Sequence, residues 1–147
     1  MAGSLTIRGV VFEHIPLEDI RAAYTNIESD LYEVTKKSHA DWIPADVYSA
    51  LRNGSADLYV VYKDEEYAGF LVTTLLTDFG GEKTLFIWVG YSVPKYNIIS
   101  EGFEFVERLS ENLNIVGIEF HSSRLGWIKT GTKHGYKAVT QVFRKEL

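Results

Sequence analysis

"TLFIWVGYSVPKYNIISEGFEFVERLSENLNIVGIEFH", Thr84 to His121, decides the fold. It opens on Thr84–Ser92, a run apolar on both faces, which predicts a strand covered from two sides. Beyond Pro94, Ile99, Phe103, Val106, Leu109 and Leu113 recur at three- and four-residue spacing and predict a helix over about 100–113. Ile115–His121, "IVGIEFH", then reads as strand again. A strand–helix–strand order crosses over right-handed between parallel strands. The strands near 85–92 and 115–121 are therefore expected to be parallel neighbours.

The flanks complete one sheet. "LTIRGVVF" (Leu5–Phe12) reads as a first strand. Ile20, Ala23, Tyr24, Ile27, Leu31 and Val34 give the apolar stripe of a helix over roughly 17–37. Pro44 suits the first turn of a short second helix with Val47, Ala50 and Leu51 on its face, and Gly54 its end. "DLYVVY" and "YAGFLVTTLL" flank the polar turn "KDEE" and predict a hairpin, and "DFGGEK" is a further turn. Past the decisive stretch, Ser122 or Ser123 can cap a helix over about 123–134, and "KAVTQVFRKEL" closes the chain as a strand. The predicted order is βααβββαβαβ. It describes a single α/β domain over 1–147, a mixed sheet with helices on both faces.

Composition narrows the function. The chain has 147 residues, 46% hydrophobic and 24% charged, which fits one domain with a core. No apolar run reaches the ~20 residues that span a bilayer, and the N-terminus lacks the plan of a signal peptide. An intracellular protein that uses no membrane is expected. There is no Cys, and His14, His39, His121 and His134 show no metal-ligand spacing, so no metal site is expected. Residues 1–120 hold 9 cations and 19 anions, whereas residues 121–147 hold 6 and 1. That basic end can attract an anionic ligand or an acidic surface, or can be a solvated face. Lys129, Lys133 and Lys137 follow at four-residue spacing. Nucleic-acid binding is not expected, because it wants a net basic domain with interleaved aromatics.

Glu119 and His121 are two apart on one strand and share a face. A Glu or His so placed can take a proton from a substrate, directly or through water; alternation at a sheet edge explains the same pair without chemistry. Trp88 and Tyr91 can line a pocket or fill the core, and buried area favours the core. Arg124 and Trp127 stand one helical turn apart and can form a cation–π pair, or Arg124 can meet an anion.

The element order, with the loop "YSVPKYNIISEG" and the tail "SSRLGWIKTGTKHGYKAV", resembles the GNAT fold of acetyl-CoA-dependent N-acetyltransferases. In that family a strand ends in a Q/R-x-x-G-x-G/A loop that opens a helix and holds the coenzyme A pyrophosphate. Here the motif falls on Asn97, Ser100 and Gly102. The resemblance thus implies a cofactor site over Asn97, Ile98, Ile99, Ser100, Glu101 and Gly102, with a strand N–H near Ser92 for the thioester carbonyl. Ile98 and Ile99 depart from it, being large for a loop that approaches a phosphate. The last helix resembles N-x-x-A-x-x-x-Y-x-K-x-G-F through Lys133, Gly135 and Tyr136. The family's Asn falls on Arg124, its Ala on Trp127, and its Tyr, the usual general acid, on Gly131.

The resemblance implies acetyl transfer from acetyl-CoA to a small-molecule or protein amine, with Glu119 or His121 as base. The acid role is vacant unless Tyr136 or water fills it, so activity is expected to be weak or degenerate. Gly131→Tyr is then expected to raise it. "HADWIPADVYSAL", "LFIW..Y" and "EFHSSR.GW" are similar to stretches of GNAT-like proteins of tailed bacteriophages. That likeness implies the host cytoplasm or the virion as location. It also implies an alternative role, a non-catalytic component that meets phage structural proteins during virion assembly.

Overall fold

The computed structural model describes residues 3–38, 40–124 and 126–147. His39 and Leu125, which fall within the stretches compared above, lie outside the described residues. Two strands lead, β1 (Gly3–Ile7) and β2 (Val10–His14), then helices α1 (Ile20–Lys37) and α2 (Pro44–Arg52). Strands β3 (Ala56–Lys63), β4 (Glu66–Thr77) and β5 (Lys83–Ser92) follow, then α3 (Ile99–Ser110), β6 (Gly117–Phe120) and α4 (Gly126–Lys133). The six strands form one sheet in chain order. All neighbours are antiparallel except β5 and β6, which pair in parallel from Thr84↔Gly117 to Ile87↔Phe120, with α3 as the crossover. The expected mixed sheet is formed, and its parallel pair is the one the decisive stretch predicts.

Two elements differ from the sequence reading. Leu5–Phe12 is not one strand but the two arms of a hairpin, because Arg8 and Gly9 both take left-handed φ, 45° and 82°, and turn the chain in two residues. At the other end, "KAVTQVFRKEL" forms no strand: residues 137–147 are exposed and lie outside the sheet. The second hairpin forms as read, with Asp64 and Glu65 as its two left-handed residues.

Each face of the sheet buries its own core. On one side Ile20, Tyr24, Ile27 and Leu31 of α1 and Val47 and Leu51 of α2 pack on Leu58, Val60, Phe70, Val72 and Val89. On the other, Phe105 and Val106 of α3 pack on Ile7, Val10, Phe12, Tyr59, Leu71 and Leu85, with the Phe12 and Phe105 rings stacked at 4.4 Å. Burying one such large apolar side chain is worth about 1.5–3 kcal/mol.

β5 breaks its own alternation. Val72 faces Val89 but Thr73 faces Ile87, so Trp88 is an extra, unpaired residue, a β-bulge. Phe86 points to the α1/α2 face by alternation with Leu85 and Ile87. Past the bulge Val89 and Tyr91 point there too. The bulge therefore turns Trp88, Val89 and Tyr91 toward one core. Nearby, Gly69 lets two strands touch: a Cβ there would stand 2.0 Å from the Tyr91 carbonyl oxygen.

Candidate functional site at the end of the parallel pair

β5 runs five residues beyond Ile87, its last residue paired with β6, whose partner there is Phe120. Among the described residues, no strand lies beside its β6-side edge from Trp88 to Ser92. The chain leaves β6 after Phe120, so the two strands part where the bulge lies. A gap with one open strand edge can pair with an extended ligand as a further strand would.

The loop from β5 to α3 closes one end of this gap and is held firmly. The Ser92 hydroxyl donates to the Tyr96 carbonyl at 3.0 Å, and Tyr96 N–H donates to Val93 O at 3.0 Å. Glu66 accepts from Tyr96 Oη at 2.7 Å and from Lys95 Nζ at 3.0 Å. These two bonds hold the Glu66 carboxyl below the usual range, the tyrosine bond first. Ile98 is buried in the α3-side core while Ile99 is exposed. The large residue that looks out of place in a phosphate loop is thus the loop's apolar anchor.

At the start of α3, Gly102 N–H donates to Ile98 O at 2.9 Å and is used up by the helix. Among the described residues no protein acceptor meets the N–H groups of Ile99, Ser100 or Glu101. Three open donors at a helix N-terminus favour an anion. Gly102 faces open space: no atom lies within 4 Å of where its Cβ would stand. Against this, Glu101 brings a carboxylate into the first turn, with Arg8 from the β1–β2 turn 3.9 Å away and also bonded to Glu104. The donor set fits a phosphate group, and Glu101 opposes it unless Arg8 neutralises it. Asn97 is exposed and its side chain makes no hydrogen bond among the described residues.

Glu119 and His121 are joined: His121 Nε2 lies 2.9 Å from Glu119 Oε2, and both are substantially exposed. His121 leans on Phe86 with ring centroids 4.7 Å apart. With Nε2–H donating to Glu119, Nδ1 is the nitrogen free to accept a proton. Phe120, between them in sequence, points to the opposite face, toward α3.

There Phe120 enters an aromatic cluster that sequence reading missed. Phe103, Phe120, Trp127, His134 and Tyr136 meet with centroids 4.6–6.1 Å apart. Trp127 packs edge-on to Phe120 and Phe103. Among the described residues no cation lies over it, so the Arg124 pairing considered above does not occur. Ser122 Oγ accepts from Arg124 N–H at 3.0 Å, which shapes the loop before α4 rather than capping the helix. No local pattern signals this cluster, because its members come from α3, β6, α4 and the segment after it.

Tyr136 is held by its N–H on Gly131 O at 2.9 Å. Its hydroxyl is buried and has no partner among the described residues. Burial first, and the Glu107 charge second, push its phenol up to about 12. Gly131 is buried beneath it: a Cβ there would stand 3.5 Å from Phe120 Cζ and 3.6 Å from Tyr136 Cβ. Both are ordinary van der Waals distances, so a Cβ at 131 would rest against these two side chains without a clash.

Trp88 and Tyr91 pack on the α1/α2 core, Trp88 edge-on to Trp42 at 6.1 Å and Tyr91 against Phe70 at 5.8 Å. Cavities of about 420 and 310 Å³ lie elsewhere, the first at Leu75, Lys83 and Asn112–Val116, the second between α1 and α2 at Tyr24, Glu28, Tyr32 and Tyr48. Among the described residues no three His, Asp or Glu side chains are placed to hold a metal, and no helix is long and apolar enough to cross a membrane.

No protein-family model matches the sequence. No curated protein matches it either. Solved structures do. A possible acetyltransferase from Clostridium difficile 630 superposes with a TM-score of 0.64 at 12% identity, covering 94% of this chain and 97% of that one. A predicted acetyltransferase with acetyl-CoA from Clostridium acetobutylicum gives 0.65 at 14%, covering 93% and 96%. An aminoglycoside acetyltransferase from an uncultured soil metagenomic sample gives 0.67 at 12%, covering 95% of each chain. At these identities the likeness is one of fold, and the chain has the mixed sheet of GNAT acetyltransferases.

Proposed function

We propose that this chain is an acetyl-CoA-dependent N-acetyltransferase of low activity, acting on an amine. One observation carries the reading: the bulge at Trp88, the end of the β5–β6 pairing and the open N–H groups of α3 converge on one end of the sheet. Acetyl-CoA, if bound, supplies a thioester whose acetyl group an amine can take. The residues fit such a ligand. Ile99, Ser100 and Glu101 offer N–H groups to a pyrophosphate, Gly102 leaves room beside them, and the β5 edge from Trp88 to Ser92 offers strand donors to the extended arm and thioester carbonyl.

His121 and Glu119 stand on one face of β6 and Tyr136 on the other, with the gap between the strands at the same level. In this reading His121 Nδ1 accepts the proton from the attacking amine, and Glu119 holds the imidazole. Tyr136 Oη, still protonated at neutral pH, holds the proton needed by the leaving sulfur. A phenol that high is a reluctant acid, which supports slow turnover.

The second reading, a non-catalytic interaction component such as a virion protein, is favoured by Gly131, which leaves the family's usual acid position without a side chain. Calorimetry with coenzyme A, followed by a thiol-release assay over a panel of amines, separates the two. Binding with slow release, lowered further in His121→Ala, is the expected result. No binding at millimolar coenzyme A would sink the enzyme reading.

A further inference from the structure

The β4–β5 hairpin turns through "TDFGGEK", Thr77 to Lys83, and holds a phenylalanine out to solvent. Phe79 is 113% exposed, so its ring is buried against nothing in its own chain. The turn that carries it is firmly built all the same. Asp78 N–H donates to Glu82 O at 2.9 Å, Gly81 N–H to Asp78 O at 3.0 Å, and Glu82 N–H to Asp78 Oδ1 at 2.9 Å. A large ring on a fixed turn gains nothing from burial in the single chain and gives up little backbone freedom on docking. Beside it lies the cavity of about 420 Å³, with Leu75, Leu113, Ile115 and Val116 as its apolar wall. Leu75 is 45% exposed and Val116 65%. Ring and cavity are neighbours, because Gly81 belongs both to the turn and to the lining.

We propose that the tip of the β4–β5 hairpin is a two-fold contact between copies of this chain, in which Phe79 of each copy enters the cavity between Leu75 and Val116 of the other. Three observations favour a second copy over an unrelated partner. First, knob and hole lie side by side on one surface. That is the self-complementary patch a two-fold axis needs, since each copy gives a ring and receives one. Second, the sizes agree. Pockets for whole small molecules begin at about 300 Å³, so a cavity of about 420 Å³ takes one benzyl side chain. Third, the charges agree. Among the described residues neither Asp78, next to the ring, nor Lys83, in the cavity lining, is in a salt bridge. Glu82 also lines the cavity, and Lys83 offsets it. When the rings cross over, the acid of one copy comes to the cation of the other. The two rings bury about 150–250 Å² each, the small end for an interface, so the dimer is reversible. The contact lies at the start of β5, the far end from the gap beyond Ile87, and does not rest on the acetyltransferase reading.

Sedimentation equilibrium of the full chain over a range of concentrations tests it. The expected result is a monomer–dimer equilibrium that Phe79→Ser abolishes from the side of the ring and Val116→Arg from the side of the cavity. Both residues are exposed in the single chain, so the circular dichroism and melting temperature of each dilute variant should match the dilute wild type. Mixing the two variants should bring dimer back, because the ring of one and the cavity of the other are intact. The mixture should hold more dimer than either variant alone at the same total concentration. A wild type that stays monomeric up to millimolar concentration overturns the proposal. So does a dimer that survives either substitution, or a mixture that holds no more dimer than its components.

Discussion

The α1/α2 side of the sheet and the C-terminal third are built to different standards. In the first, Ile27, Leu31, Val47, Leu58 and Val72 are fully buried, and the side chains interlock along whole helices and strands. In the second, β6 is half-buried at all four positions and α4 buries only Gly131. β6 is held by its short pairing with β5 and by Ile118 on the α3-side core, and a knot of aromatic rings around Phe103 and Phe120 joins α4 to it. Aliphatic packing along long elements gives stability, whereas a few rings at the end of short elements give position with little to spare. The candidate chemistry lies in the second region, where local opening costs least.

If that contrast is right, Phe70→Ala should remove about 3–5 kcal/mol, as large-to-small changes in a sealed core do. Phe120→Ala, at a half-exposed site, should remove clearly less. Urea unfolding of both variants checks this, and equal losses would erase the distinction between the regions.

Activity should sort the other way. Tyr136→Phe leaves the ring packing in place and removes only the orphan hydroxyl. The thiol-release rate should drop by about 10²-fold, the lower range for a positioned acid, with the melting temperature nearly unchanged. An unaltered rate would show that the leaving sulfur needs no donor from this region.

Alkali probes both faces of the sheet body without mutation, through Tyr67 on the α1/α2 side and Tyr59 on the α3 side. Burial holds Tyr59 and Tyr67 above the ordinary phenol range, with Asp57 and Asp30 adding to the effect. Unfolded tyrosines ionise near 10, while the folded pair retain their protons to higher pH. Stability should therefore be full below about pH 10 and fall as pH rises above it, by at most about 1.4 kcal/mol per pH unit for Tyr59. Urea midpoints at pH 8 and above 10 measure it, and a flat profile would contradict it.

The smallest effect tests the junction of the two regions. Gly102 is helical and its Cβ position is empty. Gly102→Ala should stabilise the fold by about 0.5–1 kcal/mol yet weaken coenzyme A if the ligand uses that space. Unchanged affinity by calorimetry would move the ligand away from α3.

Much of this was legible in the sequence because it is local. The stripe Ile20–Tyr24–Ile27–Leu31 names its helix, "KDEE" names its hairpin, and Thr84–His121 carries its own parallel crossover. Each is decided by neighbours in the chain, whose periodicity a reader can count. The pairing of Glu119 with His121 belongs here too, since two residues apart on a strand fixes a shared face.

Tertiary structure alone decided the rest. Arg8–Gly9 reads as strand until a left-handed turn is seen between β1 and β2. The bulge at Trp88 arises from register against β4. Ile98, unsuited to a phosphate loop by its size, is there because the α3-side core takes it. Gly131 and Tyr136 explain each other only when Phe120 from another element closes over both. The tail "KAVTQVFRKEL" has every local mark of a strand, but a strand also needs an edge to bond. Propensity belongs to one segment, and pairing belongs to two.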